Sequence, residues 1–229
     1  MLEAQINCNM TIAEEGLKNN WGANIGSVLL KEYPQGIKTE AKAWAASGSD
    51  ARMSGCKLPV VILSGSGNQG ITASVPVIRY AMNLGVSREK LYRALLISDL
   101  VTIHQKSGIG RLSAYCGAVS AGVGAGVGIA YLLDGSYDAI AHTIVNAVAI
   151  ISGTICDGAK PSCAAKIAAS VDAGILGYNM YRNQQEFKGG DGIVTKGVEN
   201  TIANIGVLAQ EGMRQTDRTI LSIMTEKCK

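Results

Sequence analysis

The chain has 229 residues, of which 47% are hydrophobic and 17% charged, with 28 glycines and a formal net charge of +3. This length can bury a sizeable core, and the low charge excludes an intrinsically disordered chain. The basic residues are scattered and are not interleaved with aromatic ones, so we expect no nucleic-acid partner.

Helical periodicity covers almost the whole chain. The first helix is predicted from apolar residues at helical spacing: Leu2, Ile6, Met10, Ala13 and Leu17. The same reasoning predicts further helices at 25–32, 39–46, 69–83, 88–106, 115–132, 137–153, 161–182, 195–212 and 215–226. In the helix at 88–106 we expect Ser87 to be the N-cap, with Leu95, Leu96 and Ile103 on the buried face.

The segments between these helices are short. Residues 47–50 are predicted to form a turn, 58–63 is the best strand candidate or an extended coil, and 65–70 is expected to be a loop. Almost no segment alternates with period two, which argues against a doubly wound sheet. The predicted fold is therefore all-α or nearly so: a compact multi-helix domain with buried Gly/Ala-rich helices and one or two short extended segments.

Two long apolar runs, 112–133 and 139–156, could be read as a transmembrane hairpin. The first run is rich in Gly, Ala and Ser, and the second contains His142 and Asn146, so we expect buried helices and no membrane partner. Residues 1–5 predict no signal peptide. We therefore expect a cytoplasmic location and read the six cysteines as thiols or ligands rather than disulfides.

Cys116, Cys156 and Cys163 are the first candidate site. Three thiolates suit an iron–sulfur cluster with one open iron, or zinc with an exchangeable fourth ligand. The alternative is that they are small buried core residues. Pro161 is placed to begin a helix, so that Cys163 would lie in its first turn with Lys160 adding positive charge beside it.

The second candidate site is a glycine-rich segment that resembles an anion-binding nest. A helix beginning near its end would direct backbone N–H groups at a carboxylate or phosphate, although a plain turn between core elements fits the pattern equally well. The candidate binding residues are Ser64, Gly65, Ser66, Gly67, Asn68 and Gln69. No βαβ unit surrounds the segment, so we do not expect a dinucleotide.

Other polar residues carry weaker signals. Asp50 and Arg52 are expected to pair with each other, to bind substrate, or to form a solvated turn or cap. His142 is either a general base or a hydrogen-bonded core residue, and His104 is read as a cap or surface residue. The remaining cysteines are set aside as structural or incidental: Cys8, Cys56 and Cys228.

Several segments together resemble the L-cysteine desulfidase family, which includes serine dehydratase α-like proteins. The matching segments are 49–56, 59–60, 65–70, 115–117 and 151–163. The resemblance implies a [4Fe–4S] cluster held by Cys116, Cys156 and Cys163. It also implies breakdown of cysteine to pyruvate, ammonia and sulfide.

Members of that family carry a further N-terminal region, in which a catalytic cysteine is expected and to which nothing in this sequence corresponds. Residues 1–229 are therefore predicted to be a single cluster-binding catalytic domain. We expect it to be a C-terminal fragment, or a chain whose missing region is supplied by a separate subunit. The oligomeric state stays open, a homo-oligomer included.

The expected reaction is elimination of a β-substituent from a small amino acid, L-cysteine first and L-serine as the alternative. An open iron acts as a Lewis acid on the leaving group. The glycine-rich loop would hold the substrate carboxylate with Asn68 orienting it, and Lys160 and Asp157 would shape the field near the cluster.

Two other readings compete with a cluster enzyme. A pyridoxal phosphate enzyme would use Lys42 or Lys160 as its Schiff-base lysine. The scarcity of strands argues against that α/β fold, so no pyridoxal phosphate is expected. The second alternative is a metal-binding or regulatory domain without catalysis.

Overall fold

The structure is a computed structural model that describes residues 1–110 and 112–226. A π-helical turn, Leu208–Gly212, joins the last two helices. The α-helices in these ranges are α1 (Leu2–Lys18), α2 (Ile25–Glu32), α3 (Ile37–Met53), α4 (Gly67–Leu84), α5 (Arg88–Ile109), α6 (Gly117–Leu133), α7 (Tyr137–Ile151), α8 (Cys163–Arg182), α9 (Val198–Val207) and α10 (Arg214–Glu226). The all-α prediction is confirmed.

Extended chain is limited to short pieces. Residues 58–63 form no strand, and within the described ranges the β-type pairing consists of two isolated bridges, Leu63 to Ser66 and Tyr115 to Ile155. The extended-coil reading of 58–63 is thus the correct one. The segment runs along the start of α4, where Gly70 lies so close to the Val61 carbonyl that a β-carbon would not fit.

Helix α6 lies at the centre and packs against α4, α5, α7 and α8. It is buried along nearly its whole length, which confirms the expected buried Gly/Ala-rich helix. A β-carbon on Gly126 would lie 2.6 Å from the backbone of Gly174 in α8, and one on Gly124 would lie 2.6 Å from the Ser98 carbonyl in α5. Glycine therefore lets three helix backbones approach almost to contact.

Helix α3 extends further than the sequence predicts. Residues 47–50 are not a turn but buried helix, because their small side chains serve close packing rather than chain reversal. The Ser47 hydroxyl donates a 2.7 Å hydrogen bond to the Ala13 carbonyl of α1. Gly48 lies against Ala13 on one side and Ile71 of α4 on another.

Asp50 acts as a cap from a distance. Its buried carboxylate accepts hydrogen bonds from the backbone N–H groups of Ala23, at 3.3 Å, and Ile25, at 2.7 Å, at the start of α2. Burial raises the pKa of Asp50, while these N–H donors oppose the rise. Of the alternatives raised by the sequence, the capping role is the one the structure shows.

Helix α5 confirms its predicted cap and corrects its predicted buried face. The Ser87 hydroxyl accepts a 3.2 Å hydrogen bond from the Lys90 N–H, and Leu95 is fully buried. Leu96 and Ile103, however, are each 44% exposed, so their predicted burial is wrong. The face that meets α6 uses small residues instead, such as Ser98 and Thr102, because α6 approaches too closely for large side chains.

The first apolar run forms the interior helix α6, as expected, whereas the second forms α7, which is buried on one face only. Tyr137 and Ile150 of α7 are exposed, so its predicted burial holds only in part. No helix within residues 1–110 or 112–226 combines the length and apolarity needed to span a bilayer.

Because Gly126 and Gly174 meet backbone to backbone, we expect Gly126→Ala to destabilise the chain by about 2–3 kcal/mol through overpacking. Urea unfolding followed by circular dichroism measures this. Gly108→Ala is the control, since its β-carbon would meet Gly206 at an ordinary 3.7 Å. Equal stability of the two variants would contradict the close packing.

Candidate functional site

Cys116 and Cys156, two of the three candidate ligands, are aligned by a short antiparallel pairing of their backbones. The Cys116 N–H donates to the Thr154 carbonyl at 3.0 Å, and the Cys156 N–H donates to the Ala114 carbonyl at 2.6 Å. The segment before α6 is thereby tied to the segment after α7. As a result, the Cys116 and Cys156 side chains are hydrogen-bonded neighbours.

Cys163 joins them from the start of α8. The helix begins at Cys163 itself, after a turn at Pro161 and Ser162 rather than at Pro161 as predicted. The Cys163 thiol contacts the Gly158 carbonyl at 3.6 Å. All three cysteines are free thiols in the structure.

The three thiols and the glycine-rich segment line one cavity of about 370 Å³, which we call the thiol cavity. Its lining residues are Arg52, Ser64, Gly65, Ser66, Asn68, Gln69, Lys106, Leu112, Ser113, Tyr115, Cys116, Gly117, Ala118, Cys156, Gly158, Ala159, Cys163 and Ile167. All of the candidate binding residues in the glycine-rich segment line the cavity except Gly67. Residues of both candidate sites predicted from the sequence therefore line the same cavity.

Three helix N-termini converge on the thiol cavity. Helices α4, α6 and α8 begin at Gly67, Gly117 and Cys163, each at or beside a lining residue. The N-terminus of a helix carries a partial positive charge and unpaired N–H groups. The cavity therefore favours anions such as thiolates.

The glycine-rich segment is a tight turn leading into α4. Ser64 and Gly65 have φ angles of 48° and 82°, and the backbones of Leu63 and Ser66 exchange two hydrogen bonds of 3.1 and 3.0 Å. Positive φ at both central positions is typical of a type I′ turn. The helix starts at Gly67, two residues earlier than predicted.

Both charged side chains that line the thiol cavity are cations. The Arg52 guanidinium donates a 3.3 Å hydrogen bond to the Asn68 side-chain oxygen. It lies directly over Gly67, where a β-carbon would collide with it. Lys106 is only 7% exposed, and the described part of the chain offers neither cation a salt-bridge partner.

Sequence reasoning missed Lys106 and left Arg52 undecided. Burial lowers the pKa of Lys106, while the nearby thiolates of Cys156 and Cys116 oppose that lowering. The available signal was the spacing of Lys106, one turn after Thr102 on the buried face of α5.

Gln69 lines the thiol cavity and carries a buried, unused hydrogen-bond acceptor. The residue is 7% exposed, and its side-chain oxygen has no partner among the described residues. Its amide group lies across the start of α6, because Gly117 has no β-carbon to exclude it. A buried acceptor without a partner carries a desolvation cost that a bound donor would relieve.

Within the thiol pair, the two cysteines titrate differently. The pKa of Cys116 is raised, because its thiol donates a hydrogen bond to Cys156 and because it is buried. The pKa of Cys156 is lowered, since it accepts that hydrogen bond and the Gly158 N–H also supports its thiolate. Cys156 is therefore the thiol that ionises first.

Asp157 and Lys160 lie beside the thiol cavity but not in its lining. Asp157 pairs with Lys166 of α8, which lowers the pKa of the Asp157 carboxyl. Lys160 is exposed. Their proposed effect on the field near a cluster remains a prediction.

The lysine and histidines considered from the sequence lie elsewhere. Lys42 is buried and pairs with Asp172 at 3.1 Å, away from the thiol cavity. His142 pairs with Glu186 at 2.7 Å, and His104 pairs with Glu199 at 2.7 Å on the surface. Cys8 and Cys56 also lie outside the cavity lining, and Cys228 lies outside the described residues.

In the described ranges, no three His, Cys, Asp or Glu side chains converge tightly enough to hold a single metal ion. An iron–sulfur cluster sets a different requirement, because each thiolate binds its own iron rather than one shared ion. The three thiols line one cavity, and the surrounding helix N-termini suit the negative charge of thiolate ligands.

Comparisons with known proteins cover nearly the whole chain. Residues 1–222 match the family described as Serine dehydratase alpha chain. An UPF0597 protein of Desulfitobacterium hafniense (strain Y51) is 64% identical over 228 residues, covering 100% of this chain and 53% of the relative. The UPF0597 protein YhaM of Escherichia coli O1:K1 / APEC is 41% identical over 231 residues, covering 99% of this chain and 52% of that relative.

A third relative, an UPF0597 protein of Lachnoclostridium phytofermentans, is 55% identical over 224 residues, covering 98% of this chain and 54% of that protein. The chain thus spans about half the length of the curated relatives it matches. No solved structure matches the chain.

In the metal-free chain, we expect Cys156 to react with iodoacetamide at a lower pH than an ordinary thiol, because its thiolate accepts a hydrogen bond from Cys116. Cys116→Ala should move the labelling profile of Cys156 to higher pH. Mass spectrometry of labelled peptides measures both profiles. Cys8→Ala is the control and should leave the Cys156 profile unchanged; an unchanged profile in Cys116→Ala would contradict the pairing.

Proposed function

We propose that this chain, which belongs to the serine dehydratase alpha chain family, is the cluster-binding part of a lyase that eliminates the β-substituent of a small amino acid. The observation that carries the proposal is the thiol cavity itself. It brings three cysteines together with the turn at Ser64 and Gly65, and these residues come from three separate regions of the sequence. The family description supports a lyase of the dehydratase type.

Cys116, Cys156 and Cys163 would hold a [4Fe–4S] cluster in the thiol cavity. When bound, such a cluster supplies an open iron that acts as a Lewis acid on the leaving group at Cβ. The chain contributes the electrostatic setting through three helix N-termini and the buried ammonium of Lys106. Lys166 adds positive charge, because its ammonium also interacts with the Cys116 and Cys163 thiolates.

The substrate carboxylate is proposed to bind at the turn before α4. Backbone N–H groups at the start of this helix and the Arg52 guanidinium point to the same region. Asn68 holds Arg52 in place through its side-chain oxygen, so it acts as a positioning residue for the carboxylate. A bound carboxylate would also compensate a cation that has no described salt-bridge partner.

The substrate ammonium is proposed to donate to the side-chain oxygen of Gln69. This oxygen is buried and unpartnered, and it belongs to the same helical turn as Asn68. Carboxylate and ammonium would then be fixed by neighbouring residues, which leaves the β-substituent directed at the thiols. An α-amino acid fits this division of the cavity better than a simple carboxylic acid does.

L-cysteine is the proposed substrate, with pyruvate, ammonia and sulfide as products. Dehydration of L-serine by the same chemistry is the second candidate, and the description of the matching family favours it. The acceptor of the α-proton is proposed to come from the portion of the enzyme that corresponds to the rest of the relatives. We therefore expect the isolated chain to bind the cluster but to turn over poorly.

Each of the variants Cys116→Ala, Cys156→Ala and Cys163→Ala should lose most of the iron and sulfide that the wild-type chain binds under anaerobic reconstitution. Each removes one iron ligand of the cluster. Iron and acid-labile sulfide analysis with visible absorption measures the loss. Cys8→Ala and Cys56→Ala should retain full loading. Equal loading of all five variants would refute the ligand assignment, and a borohydride-trapped lysine adduct would favour pyridoxal phosphate instead.

In the complete enzyme, Asn68→Ala should raise KM for the amino acid about tenfold with a smaller effect on kcat, since it frees Arg52 from its position. Lys57→Met, which removes an exposed cation outside the cavity, is the control and should leave KM unchanged. An unchanged KM in Asn68→Ala would defeat the carboxylate assignment. Full cluster loading without turnover in the complete wild-type enzyme would favour a regulatory domain.

A further inference from the structure

An apolar stripe runs along the outer face of α5. Leu96, Leu100 and Ile103 are 44%, 61% and 44% exposed. Their spacing of four and three residues places them on one side of the helix, one above the other. The opposite side of α5 is occupied by its packing against α6, so this stripe is a second apolar face on the same helix.

This stripe continues to the mouth of the thiol cavity. Ile103 lines a second cavity, of about 820 Å³, together with Leu112, which is 95% exposed. Four residues line both this cavity and the thiol cavity: Ser64, Gly65, Lys106 and Leu112. The apolar surface therefore adjoins the opening of the proposed active site, and we call Leu96, Leu100, Ile103 and Leu112 together the α5 face.

Large exposed apolar side chains that cluster on one face mark an interaction surface, whereas isolated ones are normal. The α5 face has the position expected of a surface that closes an active site. A polypeptide seated on it would cover Leu112 and the mouth of the cavity. It would also exclude water from the region between Lys106 and the turn at Ser64 and Gly65.

We propose that the α5 face is the docking surface for the part of the enzyme that corresponds to the unmatched half of the curated relatives. Those relatives consist of a portion matching this chain and nearly as much again, since this chain covers 52–54% of them. The docked part is expected to present an apolar segment to α5 and polar groups to the cavity mouth. This inference rests on the proposed function for its catalytic meaning, but docking is measurable without it.

The test compares this chain by itself with a full-length chimera in which it replaces the matching portion of the Desulfitobacterium hafniense relative. Hydroxyl-radical footprinting reports the solvent exposure of individual side chains. We expect labelling of Leu100, Ile103 and Leu112 to be several-fold lower in the chimera. Val28 of α2 is the internal control, because it is 50% exposed and lines neither cavity. Its labelling should be equal in the two proteins.

Charge on the α5 face should reverse the protection. In the chimera, Ile103→Glu should restore labelling of Leu100 and Leu112 towards the level of the chain alone, and Val28→Glu should not. Circular dichroism of each variant checks that the helices are retained; if Ile103→Glu unfolds the chimera, Leu100→Glu serves in its place.

Three results would overturn the proposal. They are equal labelling of the α5 face in chain and chimera, protection that survives the charge variants, and protection in the chain alone that grows with concentration. The last result would assign the face to a second copy of the chain. Protection without cluster binding would instead leave the docking surface intact and refute the proposed function.

Discussion

The backbone contact between α6 and its neighbours is the constraint on which the rest of the structure depends. Gly126 meets Gly174 of α8, and Gly124 meets the Ser98 carbonyl of α5, at distances that leave no room for a side chain. Helices this close have little freedom to slide or rotate. The starts of α6 and α8 are therefore fixed relative to each other, and with them the thiols of Cys116 and Cys163.

The same packing gives the site its electrostatic character. Because α4, α6 and α8 all begin at the cavity, their partial positive charges add to the cations of Arg52 and Lys106. Burying a cation without a described counter-ion, as for Lys106, is costly unless an anion approaches. Ionised thiolates or a carboxylate would compensate the charge of Lys106, so the proposed ligands would also offset the cost of burying it.

Helix α5 shows how a sequence pattern can be right about residue type and wrong about environment. Leu95, Leu96 and Ile103 are all apolar, yet only Leu95 is buried within this chain. The buried face of α5 that meets α6 carries Ser98 and Thr102 instead. The glycines of α6 bring the α6 backbone too close to α5 for a leucine side chain to fit between them. Residues 47–50 form helix rather than the predicted turn for a related reason, because serine and glycine serve both turns and close helix packing.

The sequence by itself determined the helical class, most helix positions, and the cysteines and loop residues that share the cavity, because helical periodicity and rare residue types are local signals. Only the tertiary structure decided that Cys116 and Cys156 are joined by backbone pairing, and that Arg52 reaches Asn68. It also placed Lys106 among the thiols. These relations depend on how closely separate helices approach, a distance that no single segment of the chain encodes.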